Sequence, residues 1–199
     1  MPITAPYRSP SPQPASKRLR PLTEYAELAR SATALLRTPT ALAELSEDDA
    51  AIIVSYMWAV GYPTGSTILR AGDGGRTDFM LLLLSGEVSV ETDAAVLSVL
   101  GAGHVIGEMS VIDGAARATD CVVQSSVQAG ALTREALHRL MDDHPAVAAK
   151  LMLAIAQRMA DRLRATGDQL RMMTKLLDET VAKGQRTAVA DLRRTTLPQ

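Results

Sequence analysis

Eleven of the thirteen glycines in this 199-residue chain fall between residues 61 and 130, and they punctuate it at short intervals. Between them lie runs of strand-forming residues: TILR (67–70), FMLLLL (79–84), EVSVE (87–91), AVLSVL (95–100), ATDCVV (118–123) and VQAGAL (127–132). Breaks fall at Pro63–Gly65, Gly72–Gly75, Ser85-Gly86, Gly101–Gly103 and Gly114. Six or more short strands at spacings of roughly 8–12 residues predict an antiparallel barrel or jelly roll. Aromatics are only 3% of the chain, so its core must be built from aliphatic residues and methionine.

Helical patterns flank this glycine-rich block. Leu22, Tyr25, Ala29, Ala32 and Leu36 recur at helical spacing, predicting a helix over 22–36. Ser46 followed by Asp49 three residues later resembles a capping box, predicting a second helix from there to about Ala59. From Thr133 the pattern is helical again, interrupted at His144-Pro145. The fold class expected is α+β: a β-roll flanked by N-terminal helices and a long C-terminal helix. The boundaries expected are a disordered Pro-rich tail over 1–21, which holds six of the ten prolines, a domain over 22–144, a helix over 145–182 and a polar tail over 183–199.

The last helix carries a seven-residue repeat. Ala149, Ala156, Leu163, Leu170 and Leu177 form one set, and Met152, Met159, Thr166, Met173 and Thr180 the other. Offsets of three and four between the sets make a heptad a/d seam. Such a seam can pack on its own barrel, but about 30 residues make ~45 Å of helix, longer than a small barrel covers. A homodimeric coiled coil is the expectation.

Charge is divided along the chain. Residues 1–40 carry a net +4, residues 41–144 a net −10 and residues 145–199 a net +5. A body of −10 repels nucleic acid backbones, so an anion site within it must be built locally. The arginines available there are Arg70, Arg76, Arg117, Arg134 and Arg139. Cys121 is the single cysteine, which excludes a disulfide framework, a Cys-ligated zinc site and an iron–sulfur cluster. One histidine near Glu108 (His104) falls short of a cupin metal site, and no phosphate-binding GK[ST] loop exists. No apolar run approaches a membrane span and the N-terminus lacks a signal-peptide core; a cytoplasmic protein without membrane contact is expected.

The distinctive stretch is GAGHVIGEMSVIDGAARATDCVV, residues 101–123. Gly107-Glu108 opens a segment, GEMSVI, that can form one helical turn, and a helix start offers N–H groups to an anion. Arg117 follows across the turn at Asp113-Gly114, opening a strand whose inner face would be Arg117, Thr119, Cys121 and Val123. Three readings fit Arg117: a solvated turn residue, a structural ion pair with Glu108, or a partner for a ligand carrying a phosphate and a hydroxyl. In the last case Glu108 can only accept, which suits a ribose 2′-OH.

Taken in order, Pro63-Thr-Gly65, Ala71-Gly72-Asp73, Leu84-Ser-Gly86-Glu-Val88, Ile106-Gly-Glu-Met-Ser-Val-Ile112 and Arg117-Ala118-Thr119 resemble the landmarks of the cyclic nucleotide-binding domain. The catabolite activator protein and the regulatory subunits of cyclic-AMP-dependent protein kinase share that domain, and the similarity covers about residues 42–175. It implies that Arg117 pairs with a cyclic phosphate, helped by N–H groups near Met109 and Ala118, with Thr119 beside them. It also implies that Gly107 and Glu108 hold the ribose 2′-OH, that Val90, Leu97 and Ser98 line the pocket, and that Thr166 contacts the base. Ala118 lacks the hydroxyl typical of cyclic-GMP binders, which leans towards cyclic AMP. His104 and Ile106 depart from the residues usual before the cassette.

The function expected is a non-catalytic cyclic nucleotide sensor with no metal or cofactor, signalling through its helices to an unknown protein partner. About 20 residues follow Thr180, without a helix-turn-helix pattern, so DNA binding is not expected. The alternative is a dimeric scaffold that keeps the fold and no longer binds nucleotide.

Overall fold

The computed structural model describes residues 19–42, 45–73, 78–93 and 95–195, and the side chains of 178, 179 and 182–195 lie outside the description. The proline-rich segment 1–18 also lies outside it. Two compact units divide at Ile155/Ala156.

In the first unit, strand β1 (Arg20–Pro21) leads through a 3-10 turn (Leu22–Glu24) into helix α1 (Ala26–Leu36). The single helix expected over 22–36 is thus broken at Tyr25, which is exposed, while Leu22, Ala32 and Leu36 are buried. Helix α2 (Glu47–Ser55) starts where the capping box placed it. The Ser46 hydroxyl accepts from the Asp49 N–H at 3.1 Å, and the Ser46 N–H donates back to the Asp49 carboxylate at 3.3 Å.

It does not run to Ala59. Residues Trp58–Tyr62 form strand β2, paired antiparallel with the last strand of the roll from Trp58↔Ala131 to Tyr62↔Val127. Trp58, Val60 and Tyr62 are strand formers that pack on the core. The ladder and that burial outweigh one more helical turn.

The remaining strands are β3 (Thr67–Leu69), β4 (Phe79–Glu91), β5 (Val96–Leu100), β6 (Val105–Ile106) and β7 (Asp120–Thr133). They form one antiparallel sheet in the order β1-β2-β7-β4-β5, with β3 on β7 and β6 on β4. The β-roll flanked by helices is the expected fold class, but two long strands replace four short ones. Ser85-Gly86 is a bulge rather than a break: Gly86 has φ +80°, and a Cβ there would lie 2.3 Å from the Ser126 carbonyl oxygen. The extra residue resets the strand's alternation. Leu81 and Leu83 before it, and Val88 and Val90 after it, all reach the same core as Cys121 and Val123.

After β7 come α4 (Arg134–Asp143) and α5 (Pro145–Thr195). Within the first unit, α5 buries Val147, Ala148, Leu151, Ala154 and Ile155, and Lys150 Nζ holds both Asp49 oxygens, at 3.0 and 2.7 Å. That apolar face is not the heptad seam. In the second unit α5 continues to Thr195, past the boundary expected at 182, and the seam residues Leu163, Leu170, Met173 and Leu177 are 74, 60, 63 and 66% exposed. Among the described residues, no helix is long and apolar enough to cross a membrane.

Candidate functional site

Strand β6 brings the chain alongside β4, pairing Ile106 with Leu81 and Val105 with Leu82. Gly107 follows at φ +79° and starts helix α3 (Glu108–Asp113), the helical turn expected from GEMSVI. Glu108, Ser110 and Val111 are buried, whereas Met109 and Ile112 are exposed. Gly114, also left-handed, ends the helix, its N–H donating to the Ser110 carbonyl at 3.0 Å.

Arg117 lies in the loop before β7, which begins only at Asp120; the expectation that it opens the strand is corrected. The main chain there is pinned to the Ala71-Gly72-Asp73 landmark. Arg117 N–H donates to the Asp73 carbonyl at 3.2 Å, and Gly72 N–H donates to the Arg117 carbonyl at 2.9 Å. Out of ladder register, the side chain still turns inward.

It is 4% exposed, which excludes the solvated turn. Its Nη1 donates to the Gly107 carbonyl at 2.8 Å and its Nη2 to the Phe79 carbonyl at 2.7 Å. The guanidinium carbon sits 5.0 Å from the centre of the Phe79 ring, within cation–π range. Burial lowers the Arg117 pKa, while the neighbouring Cys121, Glu108, Asp78 and Tyr62 act in the opposite direction. A Cβ on Gly107 would meet Nη1 at 2.6 Å, so glycine is what lets the guanidinium lie against this turn.

The other expected site residues divide. Ala118 is exposed and Thr119 half-buried. Asp120 is half-buried, its Oδ1 accepting from the Ala71 N–H at 2.7 Å. Val90 is buried in the core and pairs with Ser98 across β4 and β5, so the two share a face. Ser98 is exposed, as is Leu97 at 59%. Thr166 is exposed in the second unit, its hydroxyl donating to the Arg162 carbonyl at 2.9 Å. Sequence reasoning missed Phe79, which supplies both a ring and a carbonyl to Arg117. The chain's one phenylalanine, at the head of an otherwise aliphatic run, was the available signal.

One strand–helix turn, at Gly107, and the buried Arg117 thus share a seat on the β-roll. Comparison with known proteins gives its family: residues 59–144 match the cyclic nucleotide-binding domain, and this part of the chain belongs to that family. The CRP-like cAMP-activated global transcriptional regulator of Mycobacterium tuberculosis is 26% identical over 125 residues, 60% of this chain and 53% of the regulator. The cyclic AMP receptor protein of Thermus thermophilus is 30% identical over 122 residues, 59% of this chain and 56% of the receptor. The matches therefore span about half the length of these curated relatives. A solved cyclic nucleotide-binding domain from Methylobacillus flagellatus superposes with a TM-score of 0.64 at 29% identity, covering 72% of this chain and 82% of that one.

Proposed function

We propose that this chain is a cyclic nucleotide sensor that prefers cyclic AMP and passes its signal through α5 to a protein partner. The observation that carries the reading is Arg117. A cation buried in a body of net charge −10, seated beside Gly107-Glu108 at the start of α3, suits a ligand with a desolvated phosphate. The first-turn N–H groups near Met109, with that of Ala118, supply further donors, and Glu108 accepts from the ribose 2′-OH. Val90, Ser98 and Leu97 line the nucleotide. Ala118 offers no hydroxyl to a guanine, which supports the cyclic AMP preference, and Thr119 follows it just before β7.

In this role the nucleotide is a ligand, bound and released unchanged. The net −10 of residues 41–144 argues against a DNA contact by that body. A gel-shift assay at ~150 mM salt should show no ligand-dependent complex.

A second reading rests on the same arginine: its Nη1 and Nη2 both donate to main-chain carbonyls, a tie between α3 and β4 that a scaffold keeping the fold alone would also use. Calorimetric titration of the whole chain with cyclic AMP and cyclic GMP separates the two. Micromolar binding with cyclic AMP tighter supports the sensor. Silence with both favours the scaffold.

A further inference from the structure

Arg134 is the first residue of α4, a position where the helix dipole disfavours a cation. Thr133 already caps that helix, its hydroxyl accepting from the Ala136 N–H at 3.1 Å. The arginine is directed elsewhere. Its Nη2 donates to the Ser110 carbonyl in the last turn of α3, the end of a helix where a cation is favoured. The same carbonyl accepts from Gly114, and the guanidinium lies over that turn so closely that a Cβ on Gly114 would come within 3.0 Å of Nη2.

The placement matters because the segment from Gly114 to Arg117 has no regular structure. One end is held by the Gly72 and Asp73 main chain; the other depends on the Gly114 turn. Arg134 also reaches the second half of the Arg117 seat. Its own N–H donates to the Asp78 carbonyl at 2.7 Å, next to Phe79, whose carbonyl takes Arg117 Nη2. A single residue thus joins α3 and its turn, by side chain, to the strand that anchors Arg117, by main chain.

We infer that Arg134 is a positioning residue for the nucleotide site: it clamps the end of α3 so that Gly107, Glu108 and Arg117 keep their mutual spacing. The inference rests on the nucleotide-binding reading of Arg117. Arg134→Ala in the whole chain should speed amide exchange across 108–117 about tenfold in the unliganded protein while β4 and β7 exchange as in the parent. Cyclic AMP affinity should fall roughly tenfold, the effect of losing one hydrogen bond from a charged donor. Arg134→Lys, which keeps a cation at the Ser110 carbonyl, should recover part of it. Millimolar guanidinium, but not equal sodium chloride, should restore binding to the alanine variant.

Parent-like exchange and affinity in Arg134→Ala would overturn the inference. So would uniform loosening of the whole roll with affinity falling only in step with melting temperature, since that marks a merely structural role. If the parent binds neither cyclic nucleotide yet Arg134→Ala still loosens 108–117 selectively, the clamp stands and the nucleotide reading falls.

Discussion

Replacing Arg117 by leucine takes away the donor of two backbone carbonyls as well as the proposed phosphate partner. Affinity for cyclic AMP should drop roughly 30–1,000-fold, the equivalent of ~2–4 kcal/mol for a desolvated charged partner. The unliganded protein should lose only about 1–3 kcal/mol, because burying a guanidinium is itself costly and leucine relieves that cost; titration and urea unfolding of one preparation give both numbers. Gly107→Ala tests the seat rather than the charge. With φ at +79° and a Cβ only 2.6 Å from Nη1, alanine should cost about 1–3 kcal/mol in stability and weaken binding with Arg117 intact; unchanged melting and affinity would refute the close-approach argument. Arg117, Gly107 and Glu108 were legible because charge, glycine and spacing all sit within one short stretch of sequence. Phe79 and Arg134 were not, since each acts through an atom of a segment about 24–38 residues away that only folding brings near.

Among the elements, legibility followed the range of the forces involved. The α2 cap and α3 are set by residues three to six apart, and both were readable. The end of α2 was not, because the competitor is a ladder between residues near 60 and residues near 130, and no local pattern reports it. The same holds for Gly86, which reads as a turn until its partner strand shows it to be a bulge. The most exposed consequence at this scale is the pH response of the α2–α5 contact. The Lys150 ammonium, then the Ser46 hydroxyl, hold the Asp49 carboxyl below its ordinary value of 3.8. A carboxyl depressed on folding stabilises the native state above its unfolded pKa and loses that contribution as pH falls through the folded value. Asp49→Asn should therefore be destabilised relative to the parent at pH 7, and the gap should close below about pH 3.8. A gap of constant size from pH 7 to pH 3 would show that the ion pair contributes nothing to it.

For the molecule as a whole, the largest unmet demand is the seam on α5. Between Leu163 and Leu177, leucine and methionine stand in water at a and d positions over a helix of 51 residues, roughly 75 Å. Burying such a side chain fully is worth about 1.5–3 kcal/mol. Four from each of two chains would supply roughly 12–24 kcal/mol, against about 4–15 for the loss of independent motion, enough for a dimer at micromolar concentration. Thr166, at a d position between Leu163 and Leu170, is a poor core residue there. Thr166→Leu should therefore tighten the dimer about tenfold or more in sedimentation. Leu170→Glu with Leu177→Glu should leave a folded monomer, because two buried carboxylates per chain cannot be accommodated in the seam. A parent chain that sediments as a monomer at every concentration would sink the coiled-coil reading, and a Thr166→Leu variant with unchanged association would show that the helices pair, if at all, on another face.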